Sequence, residues 1–201
     1  GWFMVKSGLV DRPSVSHFRL AAHLSLALTI YCTLLWVGLQ ELTRSITLKH
    51  PLSKKLLIHG ITSFSLIALT IIWGAFVAGL DAGQIYNTFP HMGAGLIPPE
   101  FGVTPFLTDP ASVQFTHRTL AMTSGLLTFA YGAFYVRHNK IIGFLVMLTV
   151  LIQISLGVST LLSNVLIPLA VMHQINGVLL LTILLISLYA VIQARSAKSL
   201  S

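Results

Sequence analysis

Acidic charge is the scarcest property of this sequence: five Asp and Glu stand against twelve Lys and Arg, and charged residues make up only 8% of the chain. So little charge cannot keep a 201-residue, 55% hydrophobic chain in water, which excludes an ordinary soluble domain and leaves lipid as the solvent. Cysteine is nearly absent too. Cys32 stands alone inside an apolar run, which excludes an internal disulfide and any cysteine metal cluster and reads as a packing residue. The net charge of +7 does not indicate nucleic acid, because the basic residues are scattered among short connections and form no basic face.

Present instead are five long apolar runs, roughly Leu20–Leu39, Leu56–Gly79, Phe115–Val136, Ile141–Ser163 and Pro168–Gln193, none containing an acid or a lysine. A spanning helix needs about 20 apolar residues to cross a hydrocarbon core about 30 Å thick. The expected fold class is therefore all-α integral membrane, with five transmembrane helices, the last four forming a four-helix bundle.

Orientation follows from the basic residues. Arg44, Lys49, Lys54 and Lys55, then Arg137 and Lys140, then Arg195 and Lys198 mark one side as inside. The opposite side receives the connection from Leu80 to Gln114, with Asp81, Glu100, Asp109 and no base, and the short turn Asn164–Ile167. Lys6, Arg12 and Arg19 in the first segment are a mild exception. The long outer connection is rich in Gly, Pro and apolar side chains, including Tyr86, Phe89, Met92, Phe101 and Phe106, and reads as a lid rather than a disordered linker. The segment Gly1–Arg19 has neither a charged leader nor an apolar core, so it is not read as a signal peptide; the chain reads as a fragment whose polar tail, Ala194–Ser201, is a natural C-terminus.

Membrane depth sorts the eight histidines. His17, His50, His91 and His138 fall in connections and read as solvated residues. His59 lies at the inner end of the second helix and reads as structural. His23, His117 and His173 each lie a few residues inside the outer end of a descending helix, at one shared depth. Ionisable groups inside membrane helices are costly and are functional candidates by default. In an up-down-up-down bundle the helices bearing His117 and His173 are diagonal, so their imidazoles can take both axial positions of a heme iron. Zinc fits less well, for want of further ligands. Arg118 is placed to reach a heme propionate or, failing that, to snorkel to the interface.

The segments GWFMVKSGL at Gly1–Leu9, RLAAH at Arg19–His23, GAFVAGLDAGQIYNTFPHMG at Gly74–Gly93, QFTHR at Gln114–Arg118 and MHQ at Met172–Gln174 together resemble the heme A synthase family of the mitochondrial and alphaproteobacterial type. The resemblance implies an eight-helix protein of two four-helix bundles, with residues 1–55 ending the N-terminal bundle and residues 56–201 forming the C-terminal one. It implies that His117 and His173 ligate a heme b cofactor, and that His23 is one of two histidines at the catalytic site for heme O, ligating its iron. The partner histidine and a glutamate of that site are absent from this sequence, so the fragment alone is expected to be inactive.

The reaction so implied oxidises a porphyrin methyl of heme O to formyl, giving heme A for cytochrome c oxidase. The implied partners are heme O and heme A, the lipid bilayer, heme O synthase and an electron donor, with no nucleic acid and with a homo-oligomer left open. The implied location is the bacterial inner (plasma) membrane or the mitochondrial inner membrane. The cysteine pairs of some relatives have no counterpart here. A non-enzymatic b-type cytochrome relaying electrons is the alternative that the paired histidines support equally; a transporter would be expected to show broken or charged helices, which are missing.

Overall fold

A computed structural model of the chain describes residues 16–42, 53–103 and 105–196. Lys6, Arg12, Arg44, Lys49, His50, Lys198 and the motif Gly1–Leu9 lie outside the described residues. The described residues form five long helices: α1 (His17–Leu42), α2 (Lys54–Gly79), α3 (Pro110–Tyr135), α4 (Lys140–Leu162) and α5 (Ile167–Ser196). This is an integral membrane all-α protein. Four of the helices are long and apolar enough to cross a bilayer; α3 matches them in length but not in hydropathy. Its first two turns carry Ser112, Gln114, Thr116, His117 and Arg118.

Local chemistry sets the helix ends. Asp109 caps α3, its Oδ2 accepting from Ser112 N at 2.7 Å, with Pro110 in the first turn, where a missing N–H costs nothing. The helix therefore starts five residues before the apolar run predicts. Ser53 and Asn139 cap α2 and α4 in the same way. The turn from α4 to α5 is tight and strained: Asn164 and Val165 have φ of 53° and 62°, a region that β-branched valine strongly disfavours.

Neighbours pack in a closed ring, α2 on α3, α3 on α4, α4 on α5 and α5 on α2, which places α3 and α5 on one diagonal. The α3–α4 corner is close-packed backbone to backbone: a Cβ on Gly143 would lie 2.6 Å from Val136 N and 2.8 Å from Gly132 O. α1 lies outside the ring, against α2 and α5. Tyr31 and Thr182 share a hydrogen bond of 2.7 Å, and Trp36 meets Tyr189 edge to face. Most of α1 remains exposed, including Leu26 and Leu34.

One end of the ring is plugged. Tyr131 and Tyr135 reach from α3 across the diagonal to α5, where Tyr131 Oη and Ser187 Oγ lie 3.0 Å apart and Tyr135 Oη donates to Ser187 O at 3.4 Å. Both tyrosines are fully buried, among Leu180, Leu181, Leu184 and Val191. This is the end with Lys54, Lys55, Arg137 and Lys140, here called the basic end. The histidines His117 and His173 lie at the other.

Candidate heme-binding site

Two turns into α3, His117 leans on α2 where that helix has no side chain, with a Gly74 Cβ position 3.5 Å from its Cε1. Two turns into α5, His173 leans on α4 at Gly157, where a Cβ would lie 2.9 Å from Cε1 and 3.4 Å from Nδ1. A methyl group there would displace the ring. The two imidazoles are carried on diagonal helices, at the end of the ring away from the tyrosine plug. Among the described residues no group of three or more His, Cys, Asp and Glu is placed to hold a metal ion.

His173 is held by a polar ladder that sequence reasoning missed. Gln153 Nε2 on α4 lies 3.2 Å from His173 Nδ1, Asn176 Nδ2 donates to Gln153 Oε1 at 2.8 Å, and the same amide donates to Thr149 O at 3.0 Å. Asn176 and Thr149 are buried. Gln153 is the one amide in a helix whose other polar residues are Lys140 and hydroxyl side chains, and that was the available signal.

The connection between α2 and α3 covers this end. Arg118 clasps it: its Nη atoms donate to the carbonyls of Tyr86, Thr88 (2.9 Å) and His91 (3.4 Å). Gln114 Nε2 adds a bond to Tyr86 O at 3.0 Å, and Asn87 Nδ2 reaches Leu161 O on α4 at 2.9 Å, so the loop is tied across two helices. Tyr86 Oη donates to both Glu100 oxygens, at 3.1 and 3.0 Å. Desolvation and the Glu100 bond raise its phenol above the ordinary range, which keeps the donated proton in place. Trp73, Phe106, Phe101 and Phe115 stack in series beneath the loop. Its outer rim remains apolar and exposed, with Leu96, Ile97 and Val103.

The expected propionate contact of Arg118 therefore competes with a structural duty. Its Nη atoms hold the loop, while its Nε is buried without a partner. His117 Nδ1, Gln114 Oε1 and Ser112 Oγ are also buried and unpartnered, all within the first turns of α3. Each such atom costs about 1–3 kcal/mol.

The other histidines are elsewhere. His23 is exposed on α1. It sits about 200° around the helix from buried Ala21, on the side away from the ring. His59 is half-buried at the basic end, with Nε2 2.9 Å from Leu127 O and the ring edge-on to Tyr131 and Phe134. His91 and His138 are exposed, as expected. His17 corrects the sequence reading: it is not a solvated loop residue but the first residue of α1, half-buried, stacked on Phe18 and Phe76, with its Cα 2.7 Å from a Gly79 Cβ position. The close approach of α1 to glycine draws it in.

The family model for the cytochrome oxidase assembly protein family COX15-CtaA matches residues 1–185. The chain belongs to the COX15-CtaA family. Among curated relatives of this COX15-CtaA chain, the heme A synthase of Rhodospirillum centenum is 44% identical over 197 residues, covering 92% of this chain and 52% of the relative. Heme A synthase of Rickettsia bellii is 40% identical, with 92% and 58% covered. Human heme A synthase COX15 is 40% identical, with 90% and 48% covered. The chain thus spans about half the length of these relatives. No solved structure matches it.

Proposed function

We propose that this chain is the C-terminal portion of a heme A synthase, and that His117 and His173 are the axial ligands of one heme b in the α2–α5 bundle. The observation that carries this reading is the pair itself: two imidazoles on diagonal helices at one end, each against a glycine of a neighbouring helix, with no group of three or more metal-ligating side chains among the described residues to make a tetrahedral set. The buried unpartnered atoms along α3 fit a macrocycle with polar edge groups. Bound there, the heme would supply one-electron redox chemistry, tuned by its axial ligands and its burial.

The chain's own residues do the rest. Gln153 fixes the orientation of the His173 ring, Gly74 and Gly157 give the rings room, and the Arg118-clasped loop excludes water from the site. His23, facing away from this bundle, suits a role at a separate heme O site, where the synthase converts the methyl to formyl. That second site would use residues beyond this chain, so activity is a property of the whole protein. The proposed membrane is the bacterial plasma or mitochondrial inner membrane, with heme O synthase and an electron donor as partners.

A b-type cytochrome that relays electrons would use the same pair. A transmembrane relay calls for a second heme at the basic end, and His59 is engaged there with Leu127 O and two aromatic rings. The test is the visible spectrum of the detergent-purified chain with pyridine hemochrome analysis. One low-spin heme b per chain is expected, lost or turned high-spin in His117→Ala and His173→Ala, and retained in His23→Ala. A His173→Ala protein with full, unchanged low-spin heme ends the assignment.

A further inference from the structure

At the basic end a cavity of about 350 Å³ opens between the start of α2 and the end of α3, with Lys55, His59, Arg137 and His138 around it and Leu56 and Phe134 forming its apolar wall. No acid lines it. The two fixed cations, Lys55 and Arg137, repel each other across the opening unless an anion enters, and the two imidazoles beside them offer further hydrogen-bonding nitrogens. The walls are also built rather than loose. The Arg137 guanidinium lies 5.9 Å from the Phe134 ring centroid, His59 is fixed by Leu127 O, and the His138 ring packs on Tyr135 at 6.4 Å.

A free anion would use only the cationic rim. Here the rim stands beside apolar surface that continues along the membrane-facing side of the same two helices, through exposed Ile58, Ile61 and Phe134. Phosphate next to hydrocarbon is the chemistry of a lipid, and basic pockets between membrane helices take anionic headgroups. We propose that the Lys55–Arg137 cavity binds the phosphate of an anionic glycerophospholipid from the leaflet at the basic end. The site is independent of heme, lying behind the Tyr131–Ser187 plug.

The test uses the purified chain in phosphatidylcholine nanodiscs with and without phosphatidylglycerol, read by thermal unfolding and by native mass spectrometry of retained lipid. Phosphatidylglycerol should raise the melting temperature and remain bound; phosphatidylcholine alone should not. Each cation is worth about fivefold near an anionic surface, so Lys55→Gln/Arg137→Gln should bind about thirtyfold more weakly. Lys55→Arg/Arg137→Lys should retain binding, which separates lost charge from lost folding. Inorganic phosphate reproducing the full shift without lipid overturns the lipid assignment in favour of a free anion. Equal stabilisation by phosphatidylcholine, no shift with phosphatidylglycerol, or an undiminished shift in the Gln variant overturns the site.

Discussion

Gly157→Ala is the sharpest perturbation of the proposed heme site, because its sign is decided by two opposed effects. In the middle of a helix, alanine normally gains about 0.5–1 kcal/mol over glycine by lowering the entropy of the unfolded chain. At Gly157 the new methyl would lie 2.9 Å from His173 Cε1, where carbon atoms prefer about 3.5–4.0 Å, so the ring must retreat by about 0.6 Å or more. Overpacking of this kind costs about 1–3 kcal/mol. The Gln153–His173 contact, already 3.2 Å, would then stretch beyond hydrogen-bonding range. The net expectation is about 1 kcal/mol lost, with heme retention down about fivefold to tenfold. Gly38, inside α1 with nothing within 4 Å of its Cβ position, is the matched control, and Gly38→Ala should raise stability by about 0.5–1 kcal/mol and leave heme intact. The assay is heme stoichiometry and low-spin absorbance after detergent exchange. Gly157→Ala protein holding one equivalent of heme with the parental spectrum would refute the reasoning.

Three further outcomes are expected. Arg118→Leu removes charged donors from three loop carbonyls; at about 1.5–3 kcal/mol for a hydrogen bond to a charged group, the loop should open to chymotrypsin at Tyr86, Phe89 and Phe101 while the parent resists. Tyr131→Phe should cost only about 0.5–1.5 kcal/mol in thermal unfolding, because Ser187 Oγ keeps its bond to Leu184 O. Val165→Asn should raise the melting temperature, since asparagine tolerates φ of 62° and relieves about 1 kcal/mol of strain.

Much of this architecture was legible before any coordinates. Apolar runs without acids or lysines located all five helices, because lipid imposes length and composition on each span separately. The depth of His117 and His173 followed from counting residues from the helix ends. What was not legible depended on contacts between distant segments. Gln153 carried no sequence signal of its partner, and only the packing of α4 on α5 puts it beside His173. His17 looked like a loop residue because the apolar run starts three positions later, yet close packing against Gly79 draws it into α1. Arg118 was read for its charge alone; the carbonyls it holds, Tyr86 to His91, lie some thirty residues away in sequence.

The bundle's asymmetry gives a physical reason for a cofactor to choose one end. Four similar apolar helices would pack equally along their length, but α3 begins with small and polar residues and ends with Tyr131 and Tyr135. At the basic end those phenols fill the diagonal to α5, and Gly60 gives Tyr131 its space, a Cβ position there lying 3.0 Å from the ring. At the other end the diagonal residues are imidazoles that lean aside onto glycine. Between the two ends the Thr149–Asn176–Gln153 ladder couples α4 to α5, so a displacement of His173 is carried to the adjoining helices. Separating α3 from α5 at the basic end would break the Tyr131–Ser187 bond. That cost at the basic end favours the histidine end as the place for the proposed heme.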